Sequence, residues 1–420
     1  MTIPSLLVKF LVVSQVILTL IILSGLYQRG PCYSSSIGAH FRHASNQIIP
    51  DHIAGVSAPS SFLDSWWPSS WNKHHKTILK AQDDATESSE GSRTSSPMQY
   101  DTQELLGLNK SFFSYGMTKC LPPFTQGMLQ DAIDRYVSCA QYAPFDISEN
   151  RRIAFASIST GTSNEAYDRA IQSQMFHSAV HESTVHVLCE ELSEGAWNKI
   201  VFLLKLVVDE LLKPEDERLE WIMWADRDAI VLDPCRPVSA FIPPNTSSFE
   251  NISLIINEDV NGFNAGVFIF RVDQWALTFF NAVLAYRYFR PEDHLTFFEQ
   301  TAMAVIMREP KFVHRVALVP WYWFNAYPVE GGSTEDYERG EAAPEYFRAR
   351  QGDFIAHFAG HTNRLEEMPR WHDMLHEVGN VWANDNSKRD ITREILEYWS
   401  NWDPTRQNLS DIPEISLSEF

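Results

Sequence analysis

Between residues 151 and 271 the apolar positions fall into two alternating rhythms. Short apolar runs at 153–159, 184–188 and 221–225 have the length and the β-branched or aromatic content of buried strands. The intervening segments, 164–180 and 197–212, instead space their apolar residues three and four apart, with Ala166, Ala170, Ile171 and Met175 in the first, and read as helices. Strand, helix, strand, helix, strand predicts a parallel sheet with crossover helices, an α/β architecture. Further along, 267–271 reads as another strand, 301–307 as an apolar helix and 354–355 as a short apolar run. Ligands of such sheets bind outside the carboxyl ends of the strands. That places residues 157–161 and 226–228 on one crevice. The Thr160–Gly161 turn after the first strand lacks the glycine fingerprint of a dinucleotide site.

The run LEWIMWADRDAIVLDP at 219–234 adds chemistry. Its apolar stretch ends in two carboxylates, Asp226 and Asp228, one residue apart. A buried strand has no structural use for two charges at its exit, whereas a divalent cation bridging them to a phosphate relieves their repulsion. Many nucleotide-sugar transferases hold Mn²⁺ and a diphosphate on such a triplet; an Asp-rich turn is the plainer reading.

Other segments offer partners. In Asn261-Gly-Phe-Asn-Ala-Gly266 the glycines permit close backbone approach and Asn264 offers a donor and acceptors, which suits a wall for sugar hydroxyls; an ordinary turn feeding a strand fits as well. His357, at a strand exit in His357-Phe-Ala-Gly-His361, can complete a metal site begun by carboxylates. Glu299 and Gln300 open an apolar helix and either can face a reacting carbon, although the helix dipole alone accounts for Glu299. Lys199 can neutralise a phosphate, or be simply solvated.

The remaining sequence bounds the setting. Net charge is −20, so no global basic field holds nucleic acid or anionic lipid, and nucleic acid is not an expected partner. Residues 10–28 form an uncharged 19-residue stretch between Lys9 and Arg29, long enough for an uncleaved membrane anchor and longer than the apolar region of a signal peptide. From Gly30 to about residue 100, serine clusters and acidic residues interleave without a steady period, as in a stalk, with Phe62, Trp66, Trp67 and Trp71 as exceptions. Sequons at Asn109, Asn245, Asn251 and Asn408 all follow the anchor, as for a lumenal body. The five cysteines lack zinc-ligand spacing; an oxidising lumen would permit a Cys120–Cys139 disulfide, and Cys32, beside the membrane, suits an intermolecular bond. The expected plan is a cytoplasmic tail at 1–9, the anchor at 10–28, a stem at 29–125, a catalytic domain at 126–400 and a tail at 401–420.

Taken in order, IAFASISTG at 153–161, YDRA at 167–170, WNK at 197–199, EWIMWADRDAIVLDP at 220–234, NGFNAGVFIFR at 261–271, EQTA at 299–302 and HFAG at 357–360 resemble the fungal galactosyltransferase and mannosyltransferase family, glycosyltransferase family 34. The resemblance implies type II Golgi membrane proteins with a GT-A fold (a Rossmann-like, mostly parallel sheet) and retaining, Mn²⁺-dependent hexose transfer from a nucleotide-diphosphate sugar, such as UDP-galactose, UDP-glucose or GDP-mannose, to a mannose-rich glycan. By position it makes Asp226, Asp228 and His357 metal ligands. It places Ser157, Thr160, Gly161, Lys199, Asp226, Asn264, Ala265 and Gly266 around the donor, and Gln300, with Glu299 beside it, at the anomeric carbon. Two departures stand out: Arg227 between the aspartates, and His361-Thr-Asn-Arg364 after HFAG, where Arg364 is a candidate phosphate ligand. These departures motivate a second reading, a degenerate subunit of a glycosylation complex. A metal-dependent phosphohydrolase would need a second set of ligands, and none stands out.

Overall fold

The computed structural model describes residues 111–147, 151–328, 334–340 and 348–403. The chain divides into units Met1–Ser96 and Pro97–Phe420, and every described residue lies in the second. The expected anchor and most of the expected stem, with Cys32, Asn109 and Asn408, lie outside the described residues. Among the described residues no helix is long and apolar enough to cross a membrane.

In chain order the elements begin with β1 (Phe112–Tyr115), α1 (Gln126–Tyr142), β2 (Ile153–Ile158), α2 (Glu165–Val180), β3 (Thr184–Leu188), α3 (Trp197–Leu211), β4 (Trp221–Ala225) and β5 (Ala229–Val231). They continue with β6 (Leu254–Asp259), β7 (Gly262–Arg271), α4 (Gln274–Phe289), α5 (Glu299–Met307), β8 (Val316–Leu318), a short α6 (Glu335–Glu338), β9 (Ile355–His357), α7 (Arg364–Val378) and α8 (Thr392–Ser400). The helices start where the sequence offers caps: Asn164 accepts the Ala166 amide ahead of α2, and Asp273 accepts that of Ala276 ahead of α4.

The main sheet has seven strands in the order β1-β3-β2-β4-β7-β6-β8. β1, β3, β2 and β4 run parallel, as do β6 and β8, and β7 alone runs against its neighbours. Strand alternation divides the core in two. Ala154, Ala156, Ile222, Trp224, Phe268 and Phe270 pack on the side of α3, α4 and α5. Ile153, Phe155, Trp221, Met223, Val267 and Ile269 pack on the side that also holds Ile171, Phe241, Trp323 and Trp399. A sheet covered on both faces explains why its strands read as continuous apolar runs.

Three expectations need correction. β7 begins at Gly262 rather than 267, so the Asn264–Gly266 segment is strand, not a turn feeding one. β1 lies within the expected stem yet forms the edge of the sheet, paired in parallel with β3. Cys120 is bonded to Cys189 and Cys139 to Cys235, not Cys120 to Cys139. The topology gives the reason: Tyr115 pairs with Leu188, so Cys120, just beyond β1, meets Cys189, just beyond β3. Cys139 is buried on α1 and faces the segment leaving β5.

Candidate active site

Two strand registers assemble the site. β5 pairs antiparallel with β9, so Ala229 lies opposite His357, and Asp228, one residue earlier, takes the Phe358 amide on its carbonyl at 2.9 Å. β4 pairs with β7 so that Ala225 opposes Val267, and the Asp226 amide donates to the Gly266 carbonyl at 2.8 Å. Residues about 130 positions apart thereby converge at the carboxyl end of β4. One ligand atom each from Asp226, Asp228 and His357 lies within 4.8 Å of the others. Two carboxylates and an imidazole suit Mn²⁺.

The imidazole is oriented from behind. The Val267 carbonyl can only accept, so the Asn257 Nδ2 donates to it at 2.8 Å and its Oδ1 turns to Asn325, whose Nδ2 donates at 2.6 Å. That leaves the Asn325 Oδ1 as acceptor for His357 Nδ1, at 2.9 Å. The chain therefore puts the proton on Nδ1 and leaves the Nε2 lone pair for a cation, the arrangement that metal-binding histidines need. Asn257, Asn325 and His357 are buried together. The ring also needs Gly266 beneath it: a Cβ there would lie 2.0 Å from His357 Cε1 and 2.5 Å from Nε2.

The carboxylates differ. Asp226 Oδ1 accepts from Trp224 Nε1 at 2.6 Å and pairs with Lys199 Nζ at 3.0 Å, so its other oxygen is the one left for a ligand. Asp228 Oδ1 stands 3.6 Å from His357 Nε2, and its Oδ2 accepts from Arg364 Nη1 at 3.2 Å. Burial opposes the Asp228 charge, the Arg364 guanidinium favours it, and the carboxyl is held below its usual pKa. Arg227 turns away from this cluster: it donates to the Thr160 carbonyl and lies 4.3 Å from the Tyr167 ring centroid.

Several expected donor residues are committed elsewhere. Lys199 is buried and donates to the Ala265 carbonyl at 2.9 Å while pairing with Asp226 and Glu299, each at 3.0 Å. All three of its protons have partners, so it supports the site from beneath rather than binding phosphate. Burial alone would lower its pKa, but the two carboxylates raise it. Glu299 is likewise buried against Lys199, not aimed at a reacting carbon; burial pushes its carboxyl upward despite that partner. Ser157 is buried and its hydroxyl donates to the Ala225 carbonyl at 2.7 Å, tying β2 to β4. Ala265 points into the core on the α3 side, because strand alternation sends Asn264 and Gly266 to one face and Ala265 to the other.

Other expected residues stay at the surface of the crevice. Gln300 Oε1 accepts the Ala265 amide at 2.9 Å, which fixes its side chain on β7. Gly161, at φ +88°, has open space around it, and Thr160 contributes its carbonyl to Arg227. Asn264 donates to Asp259 Oδ2 at 2.8 Å and to the Tyr327 hydroxyl at 2.9 Å. Asn257, Asp259, Asn325 and Tyr327 were not singled out by the sequence reading. Asn257 in an apolar strand and Asn325 in the aromatic run WYWFNAY carried a legible signal, since a buried amide needs partners.

Residues 239–366 match the model of the galactosyl transferase GMA12/MNN10 family. This segment contains His357 and the Asn264–Gly266 strand, while Asp226 and Asp228 precede it. An uncharacterized alpha-1,2-galactosyltransferase of Schizosaccharomyces pombe is 26% identical over 215 residues, 42% of this chain and 52% of the relative. Both likenesses are to galactosyltransferases. The chain spans about half the length of the curated relative. A glycosyltransferase involved in glycosylation of the major capsid of PBCV-1 is similar at 17% identity over 52% of this chain and 98% of its own, with a TM-score of 0.38. The galactosyltransferase LgtC, in complex with donor and acceptor sugar analogs, is similar at 12% identity over 53% of this chain and 95% of its own, with a TM-score of 0.33. At those scores neither solved structure bears on the chemistry.

Proposed function

We propose that this chain is a hexosyltransferase of the galactosyl transferase family that it resembles, with a GT-A type catalytic domain, using a nucleotide-diphosphate sugar and Mn²⁺ to extend a mannose-rich glycan with retention at the anomeric carbon. The observation that carries the reading is the convergence of Asp226, Asp228 and His357, with the Nε2 lone pair exposed by the amide chain behind it. Asp226, Asp228 and His357 would hold the cation, which neutralises the charge developing on the departing diphosphate. Asn264, with both amide protons committed to Asp259 and Tyr327, would offer the sugar only the remaining acceptor capacity of its Oδ1, which already takes the Gly266 amide. Gln300, with its Oε1 already carrying the Ala265 amide, is assigned transition-state stabilisation rather than nucleophilic attack.

The anchor at 10–28 and a lumenal Golgi location form part of the same proposal. Two disulfides and exposed Asn245 and Asn251 sequons are compatible with an oxidising, glycosylating lumen.

The experiment is a transfer assay on the full-length chain with Mn²⁺, UDP-galactose, UDP-glucose or GDP-mannose, and an α-mannoside acceptor, beside Asp228→Ala. Metal-dependent transfer from one donor, lost in the variant, is the expected result and names the sugar. A folded chain that neither turns over nor binds Mn²⁺ with any nucleotide would instead be a non-catalytic subunit.

A further inference from the structure

We propose that Phe298 is the platform on which the acceptor sugar stacks, its ring held outward by a strained turn that also sets Gln300. The inference rests on the transferase reading above. Phe298 sits at φ 48° and ψ −117°, a backbone conformation that glycine dominates and that crowds the Cβ of any other residue. The Gln300 amide closes the turn by donating to the Phe297 carbonyl at 3.0 Å. Both flanks are fixed: Phe297 packs against the core on the α3 side, and Glu299 is buried on Lys199. Phe298 is left between them with 61% of its surface exposed.

Two costs therefore meet at one position. A residue in so sparsely populated a region costs about 1–3 kcal/mol, which glycine would avoid. The exposed phenyl ring also leaves apolar surface in water that a smaller residue would not. A ring kept there despite both costs suits a surface that a ligand covers. Its surroundings point to the ligand. Gln300, two residues on, accepts the Ala265 amide at 2.9 Å, and Glu299 leads through Lys199 to Asp226. Val260, in the turn between β6 and β7 beside Asp259, and Leu365, beside Arg364, are exposed as well. Three elements thus each set an apolar side chain next to a residue of the site. A diphosphate gains nothing from such groups. The C–H face of a pyranose does, because an aromatic ring covers it while the hydroxyls at its edge stay in water. The donor's phosphates belong at the carboxylate cluster, so the exposed ring beside Gln300 meets the sugar that arrives from solvent.

Steady-state transfer by the full-length chain tests this with Phe298→Ala, Phe298→Trp and Phe298→Gly. The acceptors are methyl α-mannopyranoside and α-mannobiose, and the donor is whichever of UDP-galactose, UDP-glucose and GDP-mannose supports turnover. The acceptor KM of Phe298→Ala should rise about three- to tenfold, the range for one lost stacking contact, with the donor KM as in the parent. Phe298→Trp should keep the parent's acceptor KM. Phe298→Gly should share the acceptor defect yet unfold at a denaturant concentration equal to or above the parent's, because the strain is relieved. An unchanged acceptor KM in Phe298→Ala would overturn the platform and leave the transferase standing. A Phe298→Gly chain that unfolds more easily than the parent would make the ring a structural support and overturn the platform too. A folded parent that transfers from none of the donors would overturn the transferase reading and the platform with it.

Discussion

At the scale of single residues, the site depends on groups that never touch a ligand. Gly266 matters because the His357 ring occupies the space a Cβ would take. Gly266→Ala should push the ring off its position and weaken Mn²⁺ binding by roughly 10- to 100-fold, the usual effect of losing support behind a ligand. Asn325→Leu should do the same by freeing the His357 tautomer, with Gly266 untouched. Mn²⁺ titrations of both variants check this, and unchanged affinity in Asn325→Leu would show that the amide chain does not set the proton. The three members of the cluster were legible in the sequence, since Asp226, Asp228 and His357 are charged or titratable groups at strand exits. Their supports were harder to read. A strand's neighbour across the sheet is set by register, and no local pattern links Asn257 to residues 325 and 357.

At the scale of elements, the placement of Lys199 and Glu299 is instructive. Each opens a helix near a crevice, and each reads from sequence as a functional charge. Tertiary placement makes them a buried pair between α3 and α5, locked to β7 through the Ala265 carbonyl. Removing one partner strands the other: Lys199→Met should cost about 3–5 kcal/mol of stability. Combining it with Glu299→Gln should recover much of that loss, and denaturant unfolding of the three variants measures the coupling. A loss of donor affinity with no loss of stability would instead return Lys199 to the donor site. The elements that did read correctly, from β2 through β4, are buried on both faces, where apolar periodicity and final structure answer to the same force. The start of β7 was missed because Gly262, Asn264 and Gly266 carry turn chemistry, while pairing with β6 and β4 supplies the missing strand propensity.

At the scale of the whole molecule, buried histidines set an acid limit. Burial lowers His181 and His372 to about 4 and His186 to about 3, and keeps His177 well below its ordinary 6.5. The folded chain refuses protons that the unfolded chain accepts below about 6.5, so these groups contribute stability above that pH and lose it as pH falls toward 4. Asp353 works in the opposite sense, because burial raises it to about 7 and folding then favours its protonated form as pH falls through that value. Against the four imidazoles stand Asp353 and the smaller upward shifts of Asp233, Glu258 and Glu299, so the denaturant midpoint should fall between pH 6.5 and 4; a flat profile would mean that the folded histidines take up protons. β1 and the two disulfides also place a demand on any shortened form of the chain. A fragment starting at Arg151 would keep every residue of the metal cluster and look complete by homology. It would nevertheless bare the hydrogen-bonding edge of β3 and leave Cys189 and Cys235 as lone thiols. Such a fragment would tend to cross-link and stack edge to edge, and its inactivity would report on aggregation instead of catalysis.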